Sequence, residues 1–292
     1  MPTSPLPHPR YPSRAARLLA LPLVRLLAGA LAVTVPVMLT MRLVQHTIDD
    51  KALRQLWPQL LSAALCMAAY AWYVRKVERR AVAELSVAGA GRELGIGIAI
   101  GAGLILLSVG AIYAAGSFGI TGQAPWSVML KPFADLLLGA LLEELLFRGI
   151  VFRIAEKSLG SLLALGVSAV VFAAVHMPND NSTMLALAIT AVAGVMFSAA
   201  YMATRRLWLP IGIHFAWNFM SEAVFSLPTS GHPASGLLQG RLSGPDWLSG
   251  GAYGIEGSLL TLAVIGATTF GLLALALRRG QWVAPYWRRP AP

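Results

Sequence analysis

The chain is short of charge. Only 12% of its 292 residues are Asp, Glu, Lys or Arg, against roughly a quarter in an ordinary soluble domain. That deficit excludes a disordered chain, which depends on charge to stay solvated. It also excludes a nucleic-acid-binding domain, which needs a dense basic surface. Acids are scarcest: 13 Asp and Glu stand against 23 Lys and Arg. There is one cysteine, Cys66, so no intrachain disulfide can form and the thiol count says little of compartment. No repeat at a solenoid period is present. The only biased composition is proline, at Pro2–Pro12 and Pro285–Pro292.

What fills the chain is apolar: 57% of residues are hydrophobic, and mean hydropathy is +0.66. The expected class is therefore all-α, a polytopic membrane helix bundle. A spanning helix needs about 20 mostly apolar residues. That ruler gives eight spans, at about 20–44, 58–74, 95–116, 134–152, 161–177, 184–203, 207–227 and 255–277. The first apolar run is too long for a signal peptide, so a cleaved leader is not expected. The organisation read from this is a basic tail at 1–19, a membrane domain at 20–277 and a second basic tail at 278–292.

The basic residues test the count. With eight spans, Arg10, Arg14, Arg17, Arg75, Lys76, Arg79, Arg80, Arg92, Arg153, Lys157, Arg205, Arg206, Arg278, Arg279, Arg288 and Arg289 share one side, sixteen in all. Arg42, Lys51, Arg54, Lys131 and Arg241 take the other, five in all. Positive charge collects on cytoplasmic loops. Both termini are therefore expected in the cytoplasm, in a bacterial inner membrane, and the net charge of +10 is topology, not a nucleic-acid partner. Arg25 and Arg148 remain, inside spans.

Ionisable residues at mid-membrane depth cost at least about 2.5 kcal/mol each and mark function by default. The fourth span carries Glu143, Glu144 and Arg148. Glu144 and Arg148 are four apart with the acid first, the favourable order for a helical ion pair. Glu143 lies about 100° round the helix with no local cation, which suits a general base or acid. The bland alternative is a buried network that only registers helices. The fifth span ends in Phe172 and His176, four apart on one face. A lone histidine there is ordinarily interfacial. The seventh span holds His214 and Asn218, also four apart. Two polar groups on one apolar face need a partner or a wet cavity, and His with Asn can also donate to an oxyanion. Glu222 is a weaker candidate two turns on. Asp135 and Glu256 lie near span ends, where charge is cheap.

Three motifs thus stand in order on three spans: Glu-Glu-x-x-x-Arg at 143–148, Phe-x-x-x-His at 172–176 and His-x-x-x-Asn at 214–218. Together they resemble the CPBP family of intramembrane proteases, the CAAX-protease and bacteriocin-processing proteins also called the Abi family. The resemblance covers about 130–225, and Gly149 extends it as Phe-Arg-Gly. It implies peptide-bond cleavage at the membrane, with a membrane-associated protein or peptide as partner. Carried over by position, it implies that Glu143 and His176 activate water, that His214 and Asn218 hold the oxyanion, and that Glu144, Arg148 and Phe172 support them. The family is often labelled metallo, and a metal-free glutamate mechanism is also argued for it. No cofactor is required on the second reading. On the first, Glu143, His176 and His214 would be the zinc candidates, since two His and a Glu match a catalytic zinc count.

Two rivals are a proton-coupled transporter and a non-catalytic immunity or scaffold protein. Against the first, no inverted repeat with broken helices is visible. Against the second, the motifs are intact. Oligomeric state has no sequence mark. One conflict stands: at 1.5 Å per residue, His176 lies roughly 28 Å from Lys157 and Glu143 only roughly 15 Å from Arg153. Convergence requires the fifth span to tilt strongly, or Glu156–Ser161 to lie outside the hydrocarbon.

Overall fold

A computed structural model describes residues 21–51 and 53–288. The expected tail at 1–19, with Arg10, Arg14, Arg17 and Pro2–Pro12, lies outside the described residues, as do Arg289 and the last three residues. The described chain is an all-α bundle. Its helices are α1 (Pro22–Thr47), α2 (Trp57–Lys76), α3 (Ala90–Ala114), α4 (Leu130–Glu144), α5 (Arg153–Leu159), α6 (Ser161–His176), α7 (Met184–Thr204), α8 (Trp208–Phe219) and α9 (Leu259–Arg278). A π-helical stretch, Leu145–Phe152, joins α4 to α5 without a break, and another, Met220–Val224, extends α8. Counting α4–α5 as one rod, eight rods occupy the eight expected spans. Four of them, α1, α3, α7 and α9, are long and apolar enough to cross a membrane on their own account.

One departure from pure helix is a small ribbon. Strand β1 (Phe118–Gln123) pairs antiparallel with β2 (Leu238–Leu242), with Phe118 opposite Leu242. The ribbon is pinned to the end of the α8 rod, where the Gly240 and Leu237 amides donate to the Phe225 and Ala223 carbonyls.

The two π-helical stretches replace the plain α-helix expected over 134–152 and 207–227. In the first, the widened turn loosens the regular carbonyl ladder. The Gly149 carbonyl accepts instead from the Tyr70 hydroxyl at 3.1 Å and from Arg153 Nε at 2.7 Å. The fit is close there: a Cβ on Gly149 would sit 3.0 Å from the Tyr70 ring.

The rod carrying His214 and Asn218 is held by backbone contact. A Cβ built on Gly97 would lie 2.4 Å from the Leu209 carbonyl oxygen, one on Gly101 2.3 Å from that of Ile213, and one on Gly212 2.5 Å from that of Leu94. Small residues let membrane helices approach this closely, and Gly97-x-x-x-Gly101 is the sequence form of that contact. Gly101→Ala is expected to cost about 1–3 kcal/mol, the usual range for overpacking. Gly103→Ala, with open space around its Cβ, is the control. Unfolding of both in mixed micelles checks this, and equal midpoints would remove the interlock from the account.

At the other end, residues after α9 fold back onto the bundle. The Ser161 amide donates to the Val283 carbonyl at 2.9 Å, and Arg279 Nη1 donates to the Ala203 carbonyl at 2.7 Å. The chain between α5 and α6 turns sharply at Gly160 (φ 81°). This narrows the depth conflict without closing it. Helix α6 has 16 residues, about 24 Å of rise, and the turn takes Glu156–Gly160 out of its straight run.

Candidate active site

Glu144 and Arg148, the last residue of α4 and the middle of the π-helical stretch, are both fully buried. Arg148 Nη1 donates to Glu144 Oε1 at 2.8 Å, as the spacing implied. Arg148 Nη2 donates to the Gly194 carbonyl on α7 at 3.1 Å. Its guanidinium also lies 4.6 Å from the Phe172 ring centre and 4.8 Å from that of Phe197. Ring faces attract a desolvated cation. The charge is therefore met by a carboxylate, a carbonyl and two aromatic faces.

His214 shares that carboxylate. Its Nδ1 lies 2.8 Å from Glu144 Oε1. A carboxylate paired with Arg148 only accepts, so Nδ1 carries the proton and Nε2 is left to face elsewhere. Nε2 is 3.8 Å from Glu143 Oε2, beyond a direct hydrogen bond. That Glu143 oxygen is buried and has no hydrogen-bond partner among the described residues, although the side chain as a whole is a third exposed. The ring of His214 stacks on Phe197, with centres 4.7 Å apart and planes at 22°.

His176 is fixed in the same way. Its Nδ1 lies 2.7 Å from the Phe172 carbonyl, which can only accept, so this Nδ1 is protonated too. Phe172 packs edge-on against Phe147 at 5.1 Å and meets the His176 ring at 4.6 Å and the His214 ring at 6.4 Å. It is the spacer between the two histidines.

Phe172, His176, His214 and Asn218 line one cavity. Its volume of about 40 Å³ has room for a few waters. Glu143 adjoins it through His214; Glu144 and Arg148 stand behind. Glu222, the weaker candidate, does not line it.

The cavity also has a wall that no motif announced. Ser230 and Glu256, from the segment after α8, line it. Glu256 Oε1 accepts from the Trp217 indole at 2.7 Å, and Oε2 accepts from the Ser230 amide at 2.5 Å and hydroxyl at 2.8 Å. The Ser230 carbonyl accepts from Asn179 Nδ2 at 3.0 Å, and the Asn179 amide donates to the His176 carbonyl at 3.1 Å. One polar chain thus runs from the end of α6 to the residue before Asn218. The signal available in the sequence was Glu256 itself, an acid beside an apolar run, but a span-end acid is commonplace.

Among the described residues no group of three or more His, Cys, Asp or Glu side chains is arranged to hold a metal ion.

Residues 125–220 match a family model described as Rce1-like, Type II CAAX prenyl endopeptidase. No curated protein and no solved structure matches the chain. The matched segment is 96 of 292 residues. It contains all seven motif residues, from Glu143 to Asn218, and stops before Ser230 and Glu256. The match agrees with the resemblance read from the motifs. It supports a CAAX-type intramembrane endopeptidase within an integral membrane protein.

Proposed function

We propose that this cavity hydrolyses a peptide bond of a membrane-associated protein or peptide. The observation that carries the reading is the placement of each histidine's Nδ1 against an acceptor. Each has Nδ1–H committed, one to the Phe172 carbonyl and one to the Glu144 carboxylate, so each keeps Nε2 for chemistry.

Neutral His176 then offers a lone pair, which suits a base. Glu143 takes one proton from a water whose other hydrogen is accepted by His176 Nε2, and the water oxygen bonds to the substrate carbonyl carbon. The carbonyl electron pair moves onto its oxygen. Asn218 Nδ2 and His214 Nε2 donate to that oxyanion. His214 has a proton on Nε2 only as the imidazolium, since Nδ1–H is already committed to Glu144. Glu144 is thus the group that makes this donor available, by balancing its charge. Transfer of the held proton to the departing nitrogen breaks the C–N bond and leaves an acid and an amine.

The sixteen-to-five distribution of basic residues supports cytoplasmic termini in a bacterial inner membrane. The substrate class proposed stops at "membrane-associated"; the prenyl group belongs to the description of the matched family.

The test is a comparison of membrane peptides in cells carrying wild type and Glu143→Ala. A substrate accumulating uncut in the variant is the expected result, and identical profiles would sink the reading. Metal dependence has its own test. Cleavage is expected to survive a zinc chelator. A loss restored by Zn²⁺ would instead assign Glu143, His176 and His214 as its ligands.

A further inference from the structure

Away from the catalytic cavity, the sixteen basic residues assigned to one side are not spread evenly. Three of them, Arg80 of the α2–α3 connection and Arg153 and Lys157 of α5, line a single open cavity of about 680 Å³ together with Arg25 of α1. One carboxylate, Glu78, lines it with them.

That carboxylate is already engaged. Glu78 sits 2.6 Å from Arg153 Nη2 and 2.7 Å from Arg80 Nε. Burial works against its charge, and the two guanidiniums outweigh burial and hold its pKa below the ordinary glutamate value. Buried Glu84 takes the other ends of the same arginines, at 2.5 Å from Arg80 and 3.2 Å from Arg153. Arg80 and Arg153 are thus met by the two acids, and Lys157 adds a positive charge with no ion pair among the described residues. Lys157 is exposed at its mouth.

The cavity also stands where a lipid would reach it. Pro22, the first residue of α1, lines it. From there Leu23, Leu27 and Leu31 run four apart along one exposed face of α1, at 66%, 58% and 61% exposure. Tyr286 lines the cavity, and Trp282 and Trp287, nearby in the chain, are also exposed. Aromatic side chains of this kind collect at headgroup level. A basic cavity, an apolar stripe leading from it and an aromatic rim together match a phospholipid with an anionic headgroup.

We propose that this cavity binds the phosphate headgroup of an anionic phospholipid, with its acyl chains along the Leu23–Leu27–Leu31 face. The site is separate from the peptidase chemistry and does not rest on it. Bound lipid would tie α1 to α5, and through Arg153 to the Gly149 carbonyl in the π-helical stretch that carries Arg148.

The test uses the purified full chain in a neutral detergent. Its unfolding midpoint is followed with added phosphatidylglycerol, with phosphatidylcholine of the same chains, and with inorganic phosphate at matched concentration. Phosphatidylglycerol is expected to raise the midpoint by about 2–4 °C more than phosphatidylcholine, and phosphate to do less. Lys157→Gln should remove at least half of that difference and Lys157→Glu more. Arg42→Gln, at the opposite end of α1, should leave it unchanged. Equal shifts from the two lipids, or a shift that survives Lys157→Glu, would overturn the site. Phosphate matching phosphatidylglycerol would overturn the lipid as its ligand. Native mass spectrometry of Lys157→Gln, counting retained phosphatidylglycerol, gives the same decision without a melt.

Discussion

Glu143→Gln is expected to lower peptide-bond cleavage by about 10²–10⁴-fold, the usual worth of a positioned general base, while leaving the fold intact. The two halves of that expectation rest on separate facts. Glutamine keeps the size and shape of the side chain and loses the ability to take a proton from water. The fold does not depend on the lost charge, because Glu143 Oε2 makes no hydrogen bond among the described residues and the side chain is a third exposed. Stability should stay within about 0.5 kcal/mol, as for a substitution away from any stabilising network. The check is cleavage of the substrate found by peptide comparison, measured beside an unfolding curve in the same detergent. Retained cleavage would remove Glu143 from the chemistry. Lost cleavage with a collapsed midpoint would make it a structural residue.

The opposite pattern is expected five residues further on. Arg148→Ala should destabilise the protein by about 3–5 kcal/mol, the cost of leaving a buried charge without its partner. Glu144 would keep only His214, the Gly194 carbonyl would lose a donor, and the cation between Phe172 and Phe197 would vanish. Removing both charges together is predicted to be gentler: Glu144→Leu with Arg148→Met should recover much of the loss, since a buried pair is often replaceable by apolar side chains of similar size. That double variant should still be inactive, because His214 would lose the carboxylate that holds its Nδ1–H. Unfolding midpoints for the single and double variants, with cleavage for the double, check all three statements. A single variant as stable as wild type would mean that Glu144 is not held charged by Arg148.

These two residues show how unevenly the site could be read in advance. The Glu144–Arg148 pair follows from helical spacing alone, and the structure has it at 2.8 Å. The shared face of Phe172 and His176 follows from the same rule. That Phe172, His176, His214 and Asn218 line one cavity did not follow from spacing, since helical spacing says nothing of how separate rods pack. The turn at Gly160 was not legible either, because a glycine before an apolar run is too ordinary a signal to predict it. The π-helical stretches were invisible for a related reason: they arise from tertiary partners such as Tyr70, 79 residues from Gly149. Ser230 and Glu256 come from a segment with no periodicity, so nothing local links them to Trp217. The eight rods were legible because apolar length is a property of each segment by itself.

The glycine contact between α3 and α8 has a mechanical consequence. With backbone against backbone at Gly97, Gly101 and Gly212, α8 has no clearance to roll or slide, so His214 and Asn218 are mounted on a fixed rail. Helix α6 is mounted differently: it starts at a sharp bend and ends at His176. Over its lever of about 24 Å, a pivot of about 5° displaces the far end by about 2 Å. Along its length, however, α6 is braced against α7, where a Cβ on Gly194 would lie 3.1 Å from that of Phe172 and the Ser168 and Ser198 hydroxyls meet at 2.9 Å. Its start is held too, at Gly160, where a Cβ would strike the Pro285 backbone at 2.6 Å, and where the Ser161 amide is tied to Val283.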